Sequence, residues 1–246
     1  MPVRLSLLMT VRDGERFLAQ ALTSALSQST PPDEIVVVND GSTDGTPDVL
    51  RTFGSALRVH HLPPQGIATS LNVALVHSRH ELVGYLDADD LLPPDSLQVR
   101  AMALREQPHL AAVGGRMLQF TTLDGDADEH AYRLAPDPVP AGLVTTLLLR
   151  RKALTRVGPL DESLPVMAQV DWVARARCMG LRIGAVDAVV LHRRVHGANT
   201  TLLRKDEMQA VMFEIVRRQR ARALAQTLLP QAPPNIRGPK GERFMT

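Results

Sequence analysis

The sequence predicts an α/β fold, a mostly parallel sheet with helices on both faces. Three observations carry this. Short apolar runs alternate with segments whose apolar residues recur at helical spacing. Polar clusters stand at the ends of three of those runs, at Thr10 to Asp13, Asn39 to Asp44 and Asp87 to Asp90. The chain of 246 residues is 44% hydrophobic, enough for the core of one sizeable domain. Strands alternating with helices of this length imply crossover connections, and so a parallel sheet covered on both sides.

Each element follows from its residues. Val3 to Met9 is apolar and strand-like, Thr10 to Gly14 is a loop, and Phe17, Leu18, Ala21, Leu22, Ala25 and Leu26 give the first helix. Glu34 to Val38 is the second strand. Thr46 and Pro47 supply a cap and first turn for a helix to Phe53. Leu57 to Leu62, Gly66 to Val76 and Leu82 to Asp87 read as strand, helix and strand, followed by a helix from Pro94 to Glu106. Two strands, Leu110 to Gly114 and Met117 to Thr121, lead into a polar surface loop from Asp124 to Pro140. Leu143 to Leu149 is a further strand, and Arg151 to Val157 is a short helix stopped at Gly158. A helix from Val170 to Met179 closes at Gly180, Val189 to Val195 is the last strand, and Lys205 to Leu228 is a long helix. The residues from 230 to 246 are expected to be a disordered tail.

Composition excludes several classes. A formal net charge of +2 gives no electrostatic case for nucleic acid. The single Cys178 rules out an internal disulfide and fits a reducing compartment. The first residues lack the pattern of a secretory signal, and Leu143 to Leu149 is far too short to cross a bilayer, so a cytoplasmic location is expected. Asp124 to Asp128 imitates the start of a calcium loop, but Glu129 replaces the required glycine and Ala135 the closing glutamate. Calcium is not expected there.

The run Tyr85-Leu86-Asp87-Ala88-Asp89-Asp90 carries the most chemistry. Strand alternation would put Asp87 and Asp89 on one side, where they could share one hard cation. Like charges this close need a cation or protons. One of the three carboxylates could instead cap the following helix. In open parallel sheets ligands bind beyond the carboxyl ends of the strands, so one crevice can gather all three polar clusters.

These segments, taken in order, resemble family 2 of the inverting glycosyltransferases, which use nucleotide-sugar donors on the fold called GT-A. The resemblance runs from about Val3 to Thr201. Thr10-Val11-Arg12-Asp13 is similar to the family's nucleobase loop. Val38 to Thr46 is similar to its paired-acid loop, with Asn39 at the first acid and Asp40 at the acid that accepts from the uracil imide. A carboxylate only accepts, which favours UDP over a cytidine nucleotide, with dTDP and GDP still open. Gly66 to Asn72 resembles a further conserved loop, with Leu71 where some members carry arginine and Asn72 as a loop or nucleotide contact. The resemblance implies that Asp87 and Ala88 meet the nucleoside and that Asp89 ligates Mg²⁺ or Mn²⁺. It also implies that Asp171, in Val170-Asp171-Trp172, is the catalytic base, although an ion pair with Arg175 is the competing role. In Arg193 to Asn199, the resemblance makes Arg194 a diphosphate contact and His196 a further metal ligand.

The resemblance therefore implies one GT-A domain over residues 1–229. A nucleotide half covers 1–106, an acceptor half 107–200 and a C-terminal helix 201–229. The expected reaction moves a sugar from a nucleotide-sugar, UDP-sugar favoured, to an unidentified acceptor hydroxyl with inversion. Peripheral membrane contact through Arg217, Arg218, Arg220 and Arg222, or homo-oligomer formation, is left open. A sugar nucleotidyltransferase would need a glycine-rich basic loop after the first strand, and a dehydrogenase a G-x-G-x-x-G there. Neither is present. A non-catalytic nucleotide-sugar binder on the same fold is the rival from another class, kept open by Val170.

Overall fold

The computed structural model describes residues 4–122, 132–134, 139–140, 144–197 and 204–228. Most of the expected 124–140 loop, residues 198 and 199 of the late motif, and the 230–246 tail lie outside the described residues. The chain runs β1 (Leu5–Val11), α1 (Leu18–Leu26), β2 (Glu34–Asp40), α2 (Thr46–Thr52), β3 (Arg58–Leu62), α3 (Ile67–His77), β4 (Leu82–Tyr85) and α4 (Ser96–Glu106). It continues through β5 (Ala112–Thr122), β6 (Tyr132–Leu134), β7 (Val139–Pro140), β8 (Leu148–Arg150), α5 (Arg151–Val157), α6 (Ala168–Cys178), β9 (Ile183–Arg194) and α7 (Lys205–Leu228).

Among the described residues one sheet holds nine strands, ordered β3-β2-β1-β4-β8-β5-β6, with β7 and β9 also paired to β5. The strands β1 to β4 are mutually parallel, as the alternation required. The expected α/β class, a mostly parallel sheet between helices, is what forms. Strand alternation divides the core in two. Leu5, Leu7 and Met9 of β1 face a layer containing Leu18, Leu22 and Leu97 of α1 and α4. Leu8, Val36 and Val38 face the other layer, with Leu71, Leu154, Trp172 and Ile215 of α3, α5, α6 and α7.

The second half departs from expectation in two places. The two strands expected at Leu110–Gly114 and Met117–Thr121 are one strand, β5, whose register against β9 shifts between Gly114 and Met117. The glycine pair allows it: a Cβ on Gly115 would meet Val190 Cγ1 at 2.5 Å and Ala188 O at 2.8 Å. The strand expected at Leu143–Leu149 is a 3₁₀ turn, Val144–Thr146, followed by the three-residue β8. The buried Arg100 holds this turn by donating from Nη1 to Thr146 O at 2.9 Å. The final strand is also longer than expected, starting at Ile183. Among the described residues, no helix is long and apolar enough to cross a membrane.

Candidate active site

The loops leaving β1 and β2 are laced together at the carboxyl end of the sheet. Asp13, in the left-handed region at φ 51°, accepts from Thr43 N at 2.7 Å and donates its own N–H to Ser42 Oγ at 3.0 Å. Gly14 N donates to Thr46 Oγ1 at 2.8 Å, Glu15 N donates to Asp44 Oδ2 at 3.0 Å, and Glu15 Oε2 accepts from Gly45 N at 3.0 Å. Thr10 is half-buried, Val11 is buried in the core, and Arg12 and Asp13 are exposed.

Two residues expected at the nucleotide are engaged elsewhere. Asp40 is 3% exposed and its two oxygens accept from Gln65 N at 2.7 Å and Gly66 N at 2.9 Å. It fixes the entry to α3. Asn72 donates to Leu160 O and Glu162 Oε1 and accepts from Leu160 N, so it ties α3 to the 160–162 segment. A sequence cannot show these partners, because they come from distant loops.

The carboxylates Asp87, Asp89 and Asp90 do come together, though on a turn and not on a strand. β4 ends at Tyr85, and Asp90 N closes a turn onto Asp87 O at 3.2 Å. Burial, with the charge of Asp89, pushes the Asp87 carboxyl up to about 7 against the opposing pull of Arg193. Asp90 is raised well above its usual range by burial and by both neighbouring carboxylates. This is the signature of like charges held without full compensation.

The end of β9 clasps this turn. Leu91 and His192 exchange backbone hydrogen bonds at 2.9 and 2.8 Å. Arg194 N donates to Asp90 Oδ1 at 2.9 Å, Arg194 Nε to Asp89 O at 2.8 Å, and Arg194 Nη2 to Gln20 Oε1 at 2.6 Å. Its guanidinium lies between the Phe17 and Phe120 rings, 4.4 and 4.5 Å from their centroids. Arg194, only 1% exposed, is thus a buried residue that positions the turn. Arg193 is half-buried, and its charge acts on Asp87 and Asp90. From the sequence Phe17 reads only as a helix residue and Arg193 only as part of the late basic motif, and Gln20 carries no signal. The alternation of β9, which separates adjacent residues onto opposite faces, was the available signal for Arg193.

His196 Nε2 lies 3.0 Å from Asp89 Oδ2, and both side chains are partly exposed. This is a hydrogen-bonding distance, and it is also about the separation of neighbouring ligands of an octahedral cation bound at about 2.1 Å, so the pair would suit one Mg²⁺ or Mn²⁺ in place of the hydrogen bond. Among the described residues no three such ligands form a closed cage. A hard cation that also binds substrate phosphates needs only one or two protein ligands.

Asp171 stands in the second core layer at 0% exposure. Its Oδ2 accepts from Arg175 Nε at 2.7 Å, and Arg175 is itself fixed by Val157 O and Pro159 O. Its Oδ1 has no hydrogen-bond partner and faces Arg222 Nη1 of α7 at 3.5 Å. One oxygen is therefore anchored and the other is held under α7.

The chain is similar to several known proteins. It is 25% identical over 209 residues to an uncharacterised glycosyltransferase of Rickettsia typhi, covering 80% of this chain and 65% of that protein. It is 25% identical over 214 residues to the chondroitin synthase of Pasteurella multocida, covering 81% of this chain and 21% of the synthase. A related Rickettsia felis glycosyltransferase is spanned over only 34% of its length. The crystal structure of S. aureus TarS 1-349 in complex with UDP superposes with a TM-score of 0.68 at 20% identity, covering 89% of this chain and 65% of that one. The architecture is therefore GT-A. The sequence model described as Glycosyl transferase family 2 matches residues 6–158, more than half of the chain, and the chain belongs to that family.

Proposed function

We propose that the chain is a metal-dependent, inverting transferase that moves a sugar from a UDP-sugar to an acceptor hydroxyl. The observation that carries this is the Asp87–Asp90 turn, clasped by the Arg193–His196 end of β9 at the carboxyl end of a parallel sheet in a family 2 chain. UDP as the carrier rests on the likeness to TarS, whose structures hold UDP-GlcNAc and UDP.

In this reading the Thr10–Asp13 loop, Asp87 and Ala88 receive the nucleoside, and Asp89 with His196 holds Mg²⁺ or Mn²⁺. The bound cation would offset charge growing on the departing diphosphate. Asp171 takes the acceptor proton through Oδ1, the oxygen without a hydrogen bond, while Arg175 keeps the carboxylate oriented. Attack on the anomeric carbon from the face opposite the leaving group inverts its configuration. Arg222 must leave Oδ1 before an acceptor can reach it.

A panel of UDP-sugars assayed for Mn²⁺- or Mg²⁺-dependent UDP release tests the reaction. One sugar should release UDP, and a chelator should stop it. In a melting assay, UDP with Mn²⁺ at a hundredfold excess over its dissociation constant should stabilise the protein by about 2.7 kcal/mol. Asp89→Asn should abolish that metal-dependent gain; an undiminished gain would remove Asp89 as the ligand. Binding without UDP release from any sugar would favour the non-catalytic nucleotide-sugar binder.

A further inference from the structure

The opposite end of the sheet carries a second concave surface. β8 runs antiparallel to β4, pairing Leu82 with Arg150 and Gly84 with Leu148, so the chain after Arg150 lies at the end of β4 remote from Asp87. There α5, the 108–111 segment before β5 and the 180–182 segment before β9 enclose an open cleft of about 500 Å³. The walls are fixed: Ala111 N donates to Arg182 O at 2.8 Å, and Arg150 N donates to Ala111 O at 2.9 Å. Gly180, at φ 73°, turns the chain from α6 into the cleft wall.

The lining is strongly one-signed. Lys152 and Arg156 stand one helical turn apart on α5, Arg182 comes from the opposite wall, and His109 from the third. All four side chains belong to exposed residues, and none of the lining residues is acidic. Several arginines elsewhere are matched with carboxylates: Arg58 with Glu34 at 2.9 Å, Arg175 with Asp171 at 2.7 Å, and Arg218 with Asp161 at 2.8 Å. In the cleft, Arg156 instead donates from Nη2 to Met179 O at 3.3 Å, which leaves its charge uncompensated by that bond. Converging cations on a concave low-dielectric wall focus a positive potential, and guanidinium forks match the oxygens of phosphate. The size lies within the range of sites for small molecules, about 300 to 1,000 Å³.

We infer that this cleft is a second anion site, which takes a phosphate or diphosphate group through Lys152, Arg156 and Arg182 and is separate from the donor crevice. The group can be carried by a soluble phosphorylated compound or by a lipid headgroup. Leu110 and Leu181, which also line the cleft, suit an apolar portion beside the phosphate.

The test compares the wild-type chain with the triple variant Lys152→Ala/Arg156→Ala/Arg182→Ala, whose exposed positions leave the core untouched. Inorganic pyrophosphate is titrated calorimetrically in the presence of a chelator, which keeps the metal-dependent crevice out of the measurement. In parallel, both proteins are sedimented with vesicles of phosphatidylcholine alone and of phosphatidylcholine with phosphatidylglycerol. Saturable 1:1 binding of pyrophosphate, weakened at least tenfold in the triple variant, supports the site with a soluble ligand. Selective sedimentation of the wild type with the anionic vesicles supports it with a headgroup ligand. Stabilisation by UDP with Mn²⁺ should be the same in both proteins. Equal pyrophosphate and vesicle binding by the two proteins, or none by the wild type, overturns the inference whatever the fate of the donor site.

Discussion

At the scale of single residues, Arg194 decides how firmly the carboxylate turn is held. Its planar group is stacked between Phe17 and Phe120 while its two N–H directions reach Asp89 O and Gln20 Oε1. Lysine has neither the plane nor the fork, so the change is not conservative at such a site. Arg194→Lys should lower stability by about 2 to 3 kcal/mol, from the lost cation–π and charge-assisted contacts. It should also weaken UDP binding, since the turn proposed to receive the nucleoside loses its backing. Chemical denaturation and a UDP titration check both, and unchanged binding would show that the turn stands without the clasp. The carboxylates themselves were legible in the sequence, because three acids after an apolar run are unusual and costly. Arg194's place was not, since the two rings that sandwich it come from α1's approach and from β5, and nothing local distinguishes a stacked arginine from a phosphate-binding one.

At the scale of elements, Glu34 joins the first three strands and shows why the parallel half is so readable. It stands at the start of β2 and accepts from Ser6 Oγ of β1 at 2.7 Å, Arg58 Nη1 of β3 at 2.9 Å and Arg79 N at 2.6 Å. Burial acts to raise its pKa, but these bonds and the nearby His80 outweigh burial and leave it below the ordinary glutamate value. A carboxyl with a lowered folded pKa contributes stability above its unfolded pKa of about 4.5 and loses it as pH falls through the folded value. Glu34→Gln should therefore cost about 2 kcal/mol at pH 7, and the difference from wild type should close below pH 4.5. Urea midpoints measured from pH 3 to 8 test this; a gap that stays constant with pH would contradict it. The strands of this half were legible as continuous apolar runs because both faces of the sheet are buried, and the helices because helical apolar spacing maps onto one buried face. The boundaries of β5, β8 and β9 were not, because a glycine-permitted register shift and a turn pinned by the distant Arg100 leave no periodic trace.

At the scale of the whole molecule, the question is how α7 and α6 share Asp171. Helix α7 is seated by Ile215 in the second core layer, by Arg218 on Asp161 at 2.8 Å, and by Cys178 Sγ donating to Gln219 Oε1 at 2.9 Å. The same helix brings Arg222 Nη1 to 3.5 Å from Asp171 Oδ1, and neither buried atom has a hydrogen-bond partner. The two charges attract across this gap without a hydrogen bond, so displacing Arg222 requires that an acceptor or water reach Oδ1 in its place while Arg175 keeps its grip on Oδ2. If Asp171 is the base, Arg222→Ala should raise the slow hydrolysis of the bound UDP-sugar severalfold, since water then reaches Oδ1. Its cost in stability should be about 3 kcal/mol, because the buried carboxylate loses one of its two cationic partners. Asp171→Asn should leave UDP and metal binding intact and cut UDP release by about 10² to 10⁴. If Asp171 only anchors helices, the order reverses: Asp171→Asn lowers the melting temperature but leaves release near normal in the folded protein, and Arg222→Ala does not accelerate it. Release rates and melting temperatures of the two single variants and the double variant separate these cases, since acceleration by Arg222→Ala must vanish once Asp171 is asparagine.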